Sequence, residues 1–435
     1  MDNKKKILVY AHYFYPDVAS TSQILTELFE GLQNQFDITV ICVVPSYDGK
    51  VDEQYRRKRI SKDKYENIQV MRVRVPEFDK KNKISRVKNI LAYFFNAIYA
   101  TFKIGKQDLV FSISQPPILG GLLGVIGKKI NRAKFIYNIQ DLNPEQTMAV
   151  GYSKNKFVLN IAMWLDKLSC KSADKVIVVG RDMQDTLRNR FKNKKAPKNI
   201  FINNWIDEKQ IYPLEDNNEK VMAFKRKYGL ENKIVFMYSG NIGLYYDLEN
   251  LIKVICLFKE REDVVFAFIG KGTKSKELVD YVKENEVNNV KFIPYQDKVE
   301  LIYSLNAGTV HLVVNAKGIK GISVPSKLYG AMAAGKTVLG ILEEGSEARL
   351  IIEECGCGVC IEPGKYELIY DKLEEIINNI NEYIKLGIKG KNYVDKYIKK
   401  DVAIKRYSKE ILCEDEVALE LESKEKISTL EKSNV

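Results

Sequence analysis

The sequence predicts an α/β protein with two successive parallel sheets, and three features of its 435 residues indicate this. Hydrophobic residues make up 45% of the chain, enough to bury a large core, and the length suggests two domains. Short β-branched runs alternate with stretches of helical periodicity, which is the βαβ pattern of a parallel sheet. This pattern occurs twice, once before and once after a lysine-rich segment near residues 192–206. We therefore expect two Rossmann-like domains that face one another across a crevice.

The first series of elements lies within residues 1–195, which we predict to form the N-terminal domain. Residues 22–33 place four aliphatic side chains at helical spacing directly after the first strand. The strand candidates of this series share short runs of Val, Ile and Phe, and they are 7–11, 38–44, 70–75, 109–113, 135–139 and 176–179.

The second series lies within residues 200–390, which we predict to form the C-terminal domain. Helical stretches such as 247–259 and 274–285 separate its strands. The strand candidates are 234–238, 264–269, 290–293, 310–314 and 337–341. We predict residues 391–412 to be a helix that crosses back to the N-terminal domain. Residues 413–435 are predicted to be a charged tail.

The overall charge is positive, with 69 Lys and Arg residues against 57 Asp and Glu and a formal net charge of +12. This favours anionic partners, namely phosphorylated small molecules, acidic lipid headgroups or nucleic acid, although many soluble proteins are simply lysine-rich. The chain has seven cysteines, most of them in apolar segments, which is typical of a protein in a reducing compartment. No apolar run approaches the ~20 residues that span a bilayer, and the first strand is too short for a secretory signal. We expect a cytoplasmic protein.

Three cysteines, Cys355, Cys357 and Cys360, stand close enough together to raise the question of a metal site. A structural zinc site takes four ligands, and no fourth one is nearby, since the only histidines are His12 and His311. We interpret the run as a buried turn and expect no metal. His311 lies inside a strand candidate and is interpreted as a core residue.

Glycine-containing turns after two strands of the second series are candidates for binding an anion. Glycines where a strand passes into a helix let backbone N–H groups approach a phosphate, and the helix dipole stabilises its charge. Ordinary turns also contain glycine, and a lysine there is often only solvated. The candidate residues of the turns at 236–243 and 268–273 are Gly240, Asn241, Gly243, Lys271 and Gly272.

A third candidate lies within residues 321–335. Pro325 suits the first turn of a helix, and Gly335 suits its C-terminal cap. Ser326 and Lys327 would then lie in that first turn, where a hydroxyl and an ammonium can converge on an anion. The alternative is a capped helix that only packs on the sheet.

Four short motifs are spread along the chain: 13–17 (YFYPD), 45–49 (PSYDG), 141–145 (DLNPE) and 324–335 (VPSKLYGAMAAG). In this order and spacing they resemble glycosyltransferase family 4, and most closely its branch for bacterial polysaccharides and lipid-linked glycans. Residues 204–207 (NWID) also resemble the start of the family's second domain. The resemblance covers residues 13 to about 407 and implies the two-domain GT-B fold.

The resemblance implies a nucleotide-sugar donor, by family habit a UDP-sugar, held mainly by the C-terminal domain. It implies an acceptor, a glycan or a polyprenyl-linked saccharide of capsule or O-antigen type, held by the N-terminal domain. Transfer would retain the anomeric configuration without a divalent metal or other cofactor. The chain departs from the family at one point. The family commonly has a pair of glutamates, the second of which contacts the donor ribose, but these positions are Ile322 and Gly330 here. No residue of this chain is therefore assigned to the ribose contact.

The chemistry follows from the leaving group. Breaking the bond to a nucleoside diphosphate builds negative charge on the diphosphate, so the anion-binding candidates above would stabilise it. Asp141 and Glu145 follow the strand at 135–139 and are catalytic candidates, either orienting the acceptor or stabilising positive charge at the sugar. The alternative is that Asp141 caps a helix and Glu145 is solvated. Candidates for the acceptor side, at the end of the first strand and the start of its helix, are His12, Tyr13, Ser20 and Thr21.

Residues 85–106 interleave four basic residues with Ile, Leu, Tyr and Phe. A basic amphipathic helix of this kind can lie in a membrane interface, so we expect peripheral contact with an anionic membrane at its inner face. The competing interpretation is a helix that packs against the N-terminal sheet.

The sequence also leaves two other functions open. A sugar-nucleotide epimerase of the same fold would need several acids and histidines for proton transfer, and two histidines make this unattractive. A non-enzymatic module could bind membrane or nucleic acid through its charge. However, the chain contains no recognised nucleic-acid-binding motif, and we expect no nucleic-acid partner.

Overall fold

The protein contains two separate β-sheets, one of eight strands and one of six. The computed structural model describes residues 4–80, 82–152, 155–192 and 196–412, so the predicted charged tail lies outside the described residues. Within these ranges, no helix is both long enough and apolar enough to cross a membrane.

The first sheet has the strand order β3-β4-β2-β1-β5-β6-β7-β8 and is parallel except for the edge pair of β3 and β4. Its strands are β1 Lys6–Tyr10, β2 Asp37–Val43, β3 Ile60–Tyr65, β4 Ile68–Val73, β5 Leu109–Ile113, β6 Lys134–Ile139, β7 Lys175–Val178 and β8 Asn199–Phe201. The helices of this part are α1 Ser20–Leu32, α2 Glu53–Arg56, α3 Lys83–Thr101, α4 Leu119–Asn131, α5 Glu145–Ala149, α6 Lys156–Ser172 and α7 Arg181–Arg190.

Both faces of the first sheet are covered, because side chains alternate along each strand. In β1, Leu8 and Tyr10 join the core beneath α3 and α4, whereas Ile7 and Val9 join the core beneath α1. The helices α3 and α6 both pack against α4, so the three form one layer. An asparagine caps each of the two outer helices, since Asn82 accepts backbone N–H bonds at the start of α3 and Asn155 does so at the start of α6.

The second sheet is entirely parallel, in the order β11-β10-β9-β12-β13-β14. Its strands are β9 Ile234–Ser239, β10 Val264–Ile269, β11 Val290–Ile293, β12 Val310–Val314, β13 Thr337–Ile341 and β14 Gly358–Ile361. The helices are α8 Glu219–Tyr228, α9 Leu248–Ile255, α10 Ser275–Glu284, α11 Leu301–Ala307, α12 Lys327–Ala333, α13 Glu347–Cys355, α14 Tyr366–Asn378, α15 Ile380–Tyr383, α16 Gly387–Tyr393 and α17 Lys400–Leu412.

The last helix, α17, packs against α1 and so against the first sheet. Asn138 of β6 donates a hydrogen bond of 2.8 Å to the Tyr407 hydroxyl, and Lys175 of β7 forms an ion pair with Glu410. The chain therefore leaves the first sheet once, builds the second sheet and returns.

Three strands differ from the sequence-based prediction. The short β8 pairs with β7, so the first sheet extends past residue 195 to Phe201, and the boundary of the second domain at 200 was placed too early. The edge strand β3 was not predicted because none of its side chains is buried. Cys360 lies in β14 and not in a turn.

Direct contacts join the two halves at the ends of their strands. Asp141 forms an isolated antiparallel β-bridge with Ser323, and the Leu142 N–H donates to the Ile322 carbonyl at 2.9 Å. Beside this bridge, one carboxylate oxygen of Asp182 in α7 accepts from the backbone N–H groups of Gly321 and Glu347, at 2.8 and 3.1 Å. The structure is thus a closed arrangement of the two sheets.

Candidate active site

Two glycine turns at the end of the second sheet pack backbone against backbone. The Ile242 N–H donates to the Lys271 carbonyl at 3.1 Å, and the Gly240 N–H donates to the Ile269 carbonyl at 2.8 Å. A Cβ atom on Gly272 would lie 1.9 Å from the Ile242 carbonyl oxygen. Gly272 is therefore required for the contact between the turns. The turns themselves leave the Asn241 and Lys271 side chains exposed on the surface.

Lys327 lies against the first of these turns. A Cβ atom on Gly240 would lie 2.3 Å from Lys327 Cε, so the glycine makes room for the lysine side chain. Lys327 Nζ is 3.6 Å from the centre of the Tyr246 ring and 5.1 Å from that of Tyr238, a cation–π arrangement. Gly243 follows in the same turn, with its backbone next to the Asn241 side chain.

The charge of Lys327 has no counter-ion in the part of the chain that the structure describes. None of the ion pairs there involves this residue, and burial lowers the pKa of Lys327 to about 7. A partly buried ammonium without a carboxylate is stabilised when an anion binds beside it. Ser326 directly precedes α12, is exposed, and makes no capping hydrogen bond with its side chain. The hydroxyl and the ammonium are therefore both available to a ligand.

Asp141 lies on the opposite wall of the crevice. Burial raises the pKa of Asp141 to about 6, and a hydrogen bond from the Gln146 side chain opposes that rise. Burial, and after it the charge of Asp141, raises the pKa of Tyr246 to about 12, so the carboxylate lies within electrostatic range of the tyrosine that holds Lys327. Asp141 and Lys327 are therefore both near Tyr246, and no ion pair joins them.

Glu145, the second predicted catalytic residue, is held by an arginine side chain. Its carboxylate accepts two hydrogen bonds from Arg190, of 2.9 and 2.6 Å, and Arg190 also pairs with Asp166. Arg190 and Asp166 are almost fully buried, and Tyr137 donates a hydrogen bond of 2.8 Å to Asp166. Glu145 therefore belongs to a structural ion-pair network that joins α5, α6 and α7.

A cavity of about 360 Å³ opens at the carboxyl end of the first sheet. The residues that line it include three aromatic rings and two cations but no carboxylate. They are His12, Tyr13, Tyr47, Phe78, Lys80, Arg86, Asn89, Ile90, Gln115, Pro116 and Pro117.

The predicted acceptor residues differ in their relation to this cavity. His12 and Tyr13 line it, with ring centres 4.3 Å apart. Burial lowers the pKa of His12 to about 3, so the ring is neutral, and its Nε2 has no hydrogen-bond partner among the described residues. Thr21 donates to Gln115 at 2.7 Å and so supports the wall from behind. Ser20 is exposed and does not line the cavity.

Several residues of the site were not predicted from the sequence. Tyr246 was not considered, although two adjacent tyrosines directly after a glycine turn are a recognisable signal. Arg86 was assigned to a membrane helix, yet it lines the cavity. His311 is buried as expected, and its ring is 2.9 Å from the Leu305 carbonyl. Among the described residues, no cluster of His, Cys, Asp or Glu has the arrangement of a metal site.

The chain is similar in sequence to known glycosyltransferases. Residues 220–393 match the family model described as glycosyl transferases group 1. WcaI of Escherichia coli (strain K12), named as a colanic acid biosynthesis glycosyl transferase, is 24% identical over 421 residues, which cover 93% of this chain and 99% of WcaI. WbjE of Pseudomonas aeruginosa, named as a glycosyltransferase, is 28% identical over 287 residues, which cover 65% of this chain and 70% of WbjE.

Solved structures show the same fold along nearly the whole chain. Sucrose-phosphate synthase from Thermosynechococcus elongatus has a TM-score of 0.73 at 13% identity, covering 93% of this chain and 98% of that one. Anabaena HepE, in complex with UDP and glucose, has a TM-score of 0.69 at 14% identity, covering 94% and 99%.

The predicted GT-B fold is therefore confirmed, and within the second half of the chain residues 220–393 match the glycosyl transferases group 1 model. The resemblance to the glycosyltransferases of bacterial polysaccharide synthesis is confirmed by the same comparisons.

Proposed function

We propose that the chain is a retaining glycosyltransferase that moves a sugar from a UDP-sugar to a glycan or polyprenyl-linked saccharide during synthesis of a cell-surface polysaccharide. The observation that carries the proposal is the ammonium of Lys327, which is partly buried beside two glycine turns and has no counter-ion among the described residues. The name of WcaI and the UDP bound to HepE support this donor and this process.

The departure of the donor's diphosphate explains the charge on this wall of the crevice. As the bond between the sugar carbon and the diphosphate oxygen breaks, its electron pair goes to the diphosphate. The Lys327 ammonium, the Ser326 hydroxyl and the N–H groups of Asn241 and Gly243 stabilise that charge, since the Gly240 and Ile242 N–H groups already donate to backbone carbonyls. Lys271 is exposed at the rim and can approach the same group as a second cation.

The acceptor hydroxyl attacks the same sugar carbon from the side that the diphosphate leaves. Its proton passes to a departing diphosphate oxygen, so no nucleophile from the protein is needed and the configuration is retained. The Asp141 carboxylate stabilises the positive charge that develops on the sugar. His12 and Tyr13 contact the acceptor in the cavity of the first sheet, and the reaction uses neither metal nor cofactor.

The geometry does not favour the epimerase alternative. His12 and His311 are both buried, and burial lowers the pKa of each, His311 to about 4. Neither histidine lies at the turns beside Lys327, so no pair of histidines is placed there for proton transfer.

We place the enzyme in the cytoplasm, in peripheral contact with the anionic inner face of the cell membrane, because a polyprenyl-linked acceptor is anchored there. We expect no nucleic-acid partner.

A thermal-shift panel tests the donor directly. We expect UDP and one UDP-sugar to raise the melting temperature, with smaller effects from GDP, ADP and dTDP and their sugars. The stabilising sugar nucleotide should then be consumed only when a saccharide acceptor is present, with or without EDTA. Epimer formation without acceptor, or no stabilisation by any nucleotide, would overturn the proposal.

A further inference from the structure

A cavity of about 610 Å³ opens at the amino end of the second sheet, and we refer to it as the amino-end cavity. Lys233, Thr309 and Lys336 line it, and they directly precede the strands β9, β12 and β13. The turn at 240–243 follows the carboxyl end of β9, so the candidate donor site lies at the other end of the same strand. A strand of six residues is about 20 Å long, and this length separates the two sites.

The amino-end cavity is lined by more cations than anions. Its charged residues are Lys225, Lys233, Lys336, Lys385, Asp216 and Glu231. Two of the four lysines already have partners in the protein. Lys233 donates a hydrogen bond to the Glu262 carbonyl, and Lys385 forms an ion pair with Glu382. The excess of positive charge favours an anionic ligand.

The other two lysines are available to such a ligand. Lys225 and Lys336 are both half-buried, and neither forms an ion pair or a side-chain hydrogen bond with any residue that the structure describes. Burial lowers the pKa of Lys336, the charge of Asp216 opposes that change, and the charge of Lys225 adds to it. The two ammonium groups are therefore close enough to repel one another. An anion bound between them would replace this repulsion by attraction.

The neutral part of the lining indicates what else the ligand carries. The Thr309 hydroxyl accepts a hydrogen bond of 3.0 Å from the Val235 N–H, so its own proton remains free to be donated. The Asn232 amide and the Asp216 carboxylate line the same cavity and can bond to hydroxyl groups.

The lining also argues against a nucleotide. None of the described residues that line the amino-end cavity is aromatic, so a base has no ring on which to stack. The volume lies within the range of roughly 300–1,000 Å³ that is usual for small-molecule sites. A compact ligand with one phosphate and several hydroxyls fits these features best.

We propose that the amino-end cavity binds a sugar phosphate, with the phosphate between Lys225 and Lys336 and the sugar hydroxyls on Asp216, Asn232 and Thr309. This ligand is bound in addition to the substrates, because the cavity and the candidate donor site lie at opposite ends of the second sheet. It is therefore an effector or a stabilising ligand and not the donor. The inference does not rest on the proposed glycosyl transfer.

Isothermal titration calorimetry of the full chain tests the site, with the 1- and 6-phosphates of glucose, galactose and mannose as probes. We expect at least one of them to bind as one molecule per chain, with the same affinity in saturating UDP. The free hexoses should not bind, and inorganic phosphate should bind about tenfold or more weakly, because it lacks the hydroxyls.

Three results of the titration would overturn the proposal. These are no binding of any hexose phosphate, competition by UDP, which would place the probe in the donor site, and equal affinity for inorganic phosphate, which would remove the sugar from the assignment. Failure of UDP to bind would contradict the proposed function and would leave the binding of a hexose phosphate unaffected.

Variants locate the bound phosphate. Lys225→Met and Lys336→Met should each weaken binding of the hexose phosphate about tenfold or more, because each removes one charge-assisted contact. Methionine keeps the aliphatic length of lysine, so we expect melting temperatures close to that of the wild type.

Lys276→Met and Lys327→Met are the matched controls. Lys276 lies on α10, its side chain is 89% exposed, and its loss lowers the net charge by the same amount. Lys327→Met removes the cation of the candidate donor site. Both variants should bind the hexose phosphate like the wild type. Wild-type affinity in Lys225→Met and Lys336→Met, or loss of binding in Lys327→Met, would contradict the placement.

Discussion

Lys327 is held in position by contacts that do not neutralise it. Its aliphatic part lies on Gly240, and its ammonium lies over the Tyr246 ring at 3.6 Å. The ring attracts the cation but supplies no negative charge, and burial lowers the pKa of Lys327 to about 7. Among the described residues no carboxylate pairs with Lys327, so a bound diphosphate would supply the negative charge that favours its ammonium form.

We expect Lys327→Met to lower kcat/KM for the donor about 100-fold or more while leaving the melting temperature of the free protein close to that of the wild type. The reason is the loss of the cation that stabilises the leaving diphosphate. Steady-state kinetics with the preferred sugar nucleotide measures the effect. Wild-type kinetics would remove Lys327 from the donor site.

The pH dependence gives an independent test of the same residue. The ammonium form binds the diphosphate, so kcat/KM should fall about tenfold per pH unit above the pKa of about 7. Lys327→Arg keeps its charge at all these pH values and should lose this alkaline limb, even if its rate is lower. An identical alkaline limb in Lys327→Arg would assign the titration to another group.

Asp141 should act on the acid side of the same profile. Burial raises its pKa to about 6, so the carboxylate is lost as the pH falls below that value, and turnover should fall with it. Asp141→Asn should reduce kcat about 100-fold with little change in donor affinity, because the charge acts on the transition state. If Asp141→Asn has the kcat of the wild type, Asp141 has only its structural role in the β-bridge with Ser323.

At the scale of elements, the network around Arg190 gives Glu145 a structural contact that two variants can separate from the predicted catalytic role. Arg190→Met should cost about 3–5 kcal/mol of unfolding free energy, since it leaves the buried Asp166 without its partner. Glu145→Gln keeps an acceptor oxygen and should cost only about 1 kcal/mol, with kcat within a few-fold of the wild type. Chemical denaturation and turnover measure both. A large loss of kcat without loss of stability in Glu145→Gln would restore a catalytic role.

Buried strands could be predicted from the sequence because their apolar runs are continuous. β1, β2, β5 and β10 lie within two residues of their predicted positions. The strands that were missed have different physical causes. β3 is an exposed edge strand, β8 has three residues, and β14 contains cysteines that suggested a turn.

The candidate site was predictable only where neighbours in sequence are also neighbours in space. The turn at 236–243 and the start of α12 are local patterns, and the structure brings them together at Gly240 and Lys327. The partner of Glu145 is 45 residues away, and no local pattern indicates it. The pairing of Asp141 with Ser323 likewise depends on how the two sheets meet.

At the scale of the whole molecule, the two walls of the site come from different sheets, so their approach must be maintained. Asp182 contributes by accepting two N–H bonds from the second half of the chain. Asp182→Ala leaves those N–H groups without a partner, which costs about 1–3 kcal/mol each when buried. We expect a larger radius of gyration in solution scattering and a lower kcat, with UDP affinity nearly unchanged.

Asp185→Ala is the control for this variant, since Asp185 lies on the same helix but is exposed and pairs only with Arg188 among the described residues. It should match the wild type in both measurements. Equal radii and rates for Asp182→Ala and the wild type would show that closure does not depend on this contact.

The central claim is that the second sheet binds a nucleoside diphosphate between its glycine turns and Lys327. A crystal structure of the protein with UDP tests it most directly. We expect a diphosphate oxygen within about 3 Å of Lys327 Nζ and of the backbone N–H group of Asn241 or Gly243. UDP bound elsewhere, with Lys327 Nζ still over the Tyr246 ring and out of reach of the diphosphate, would contradict it.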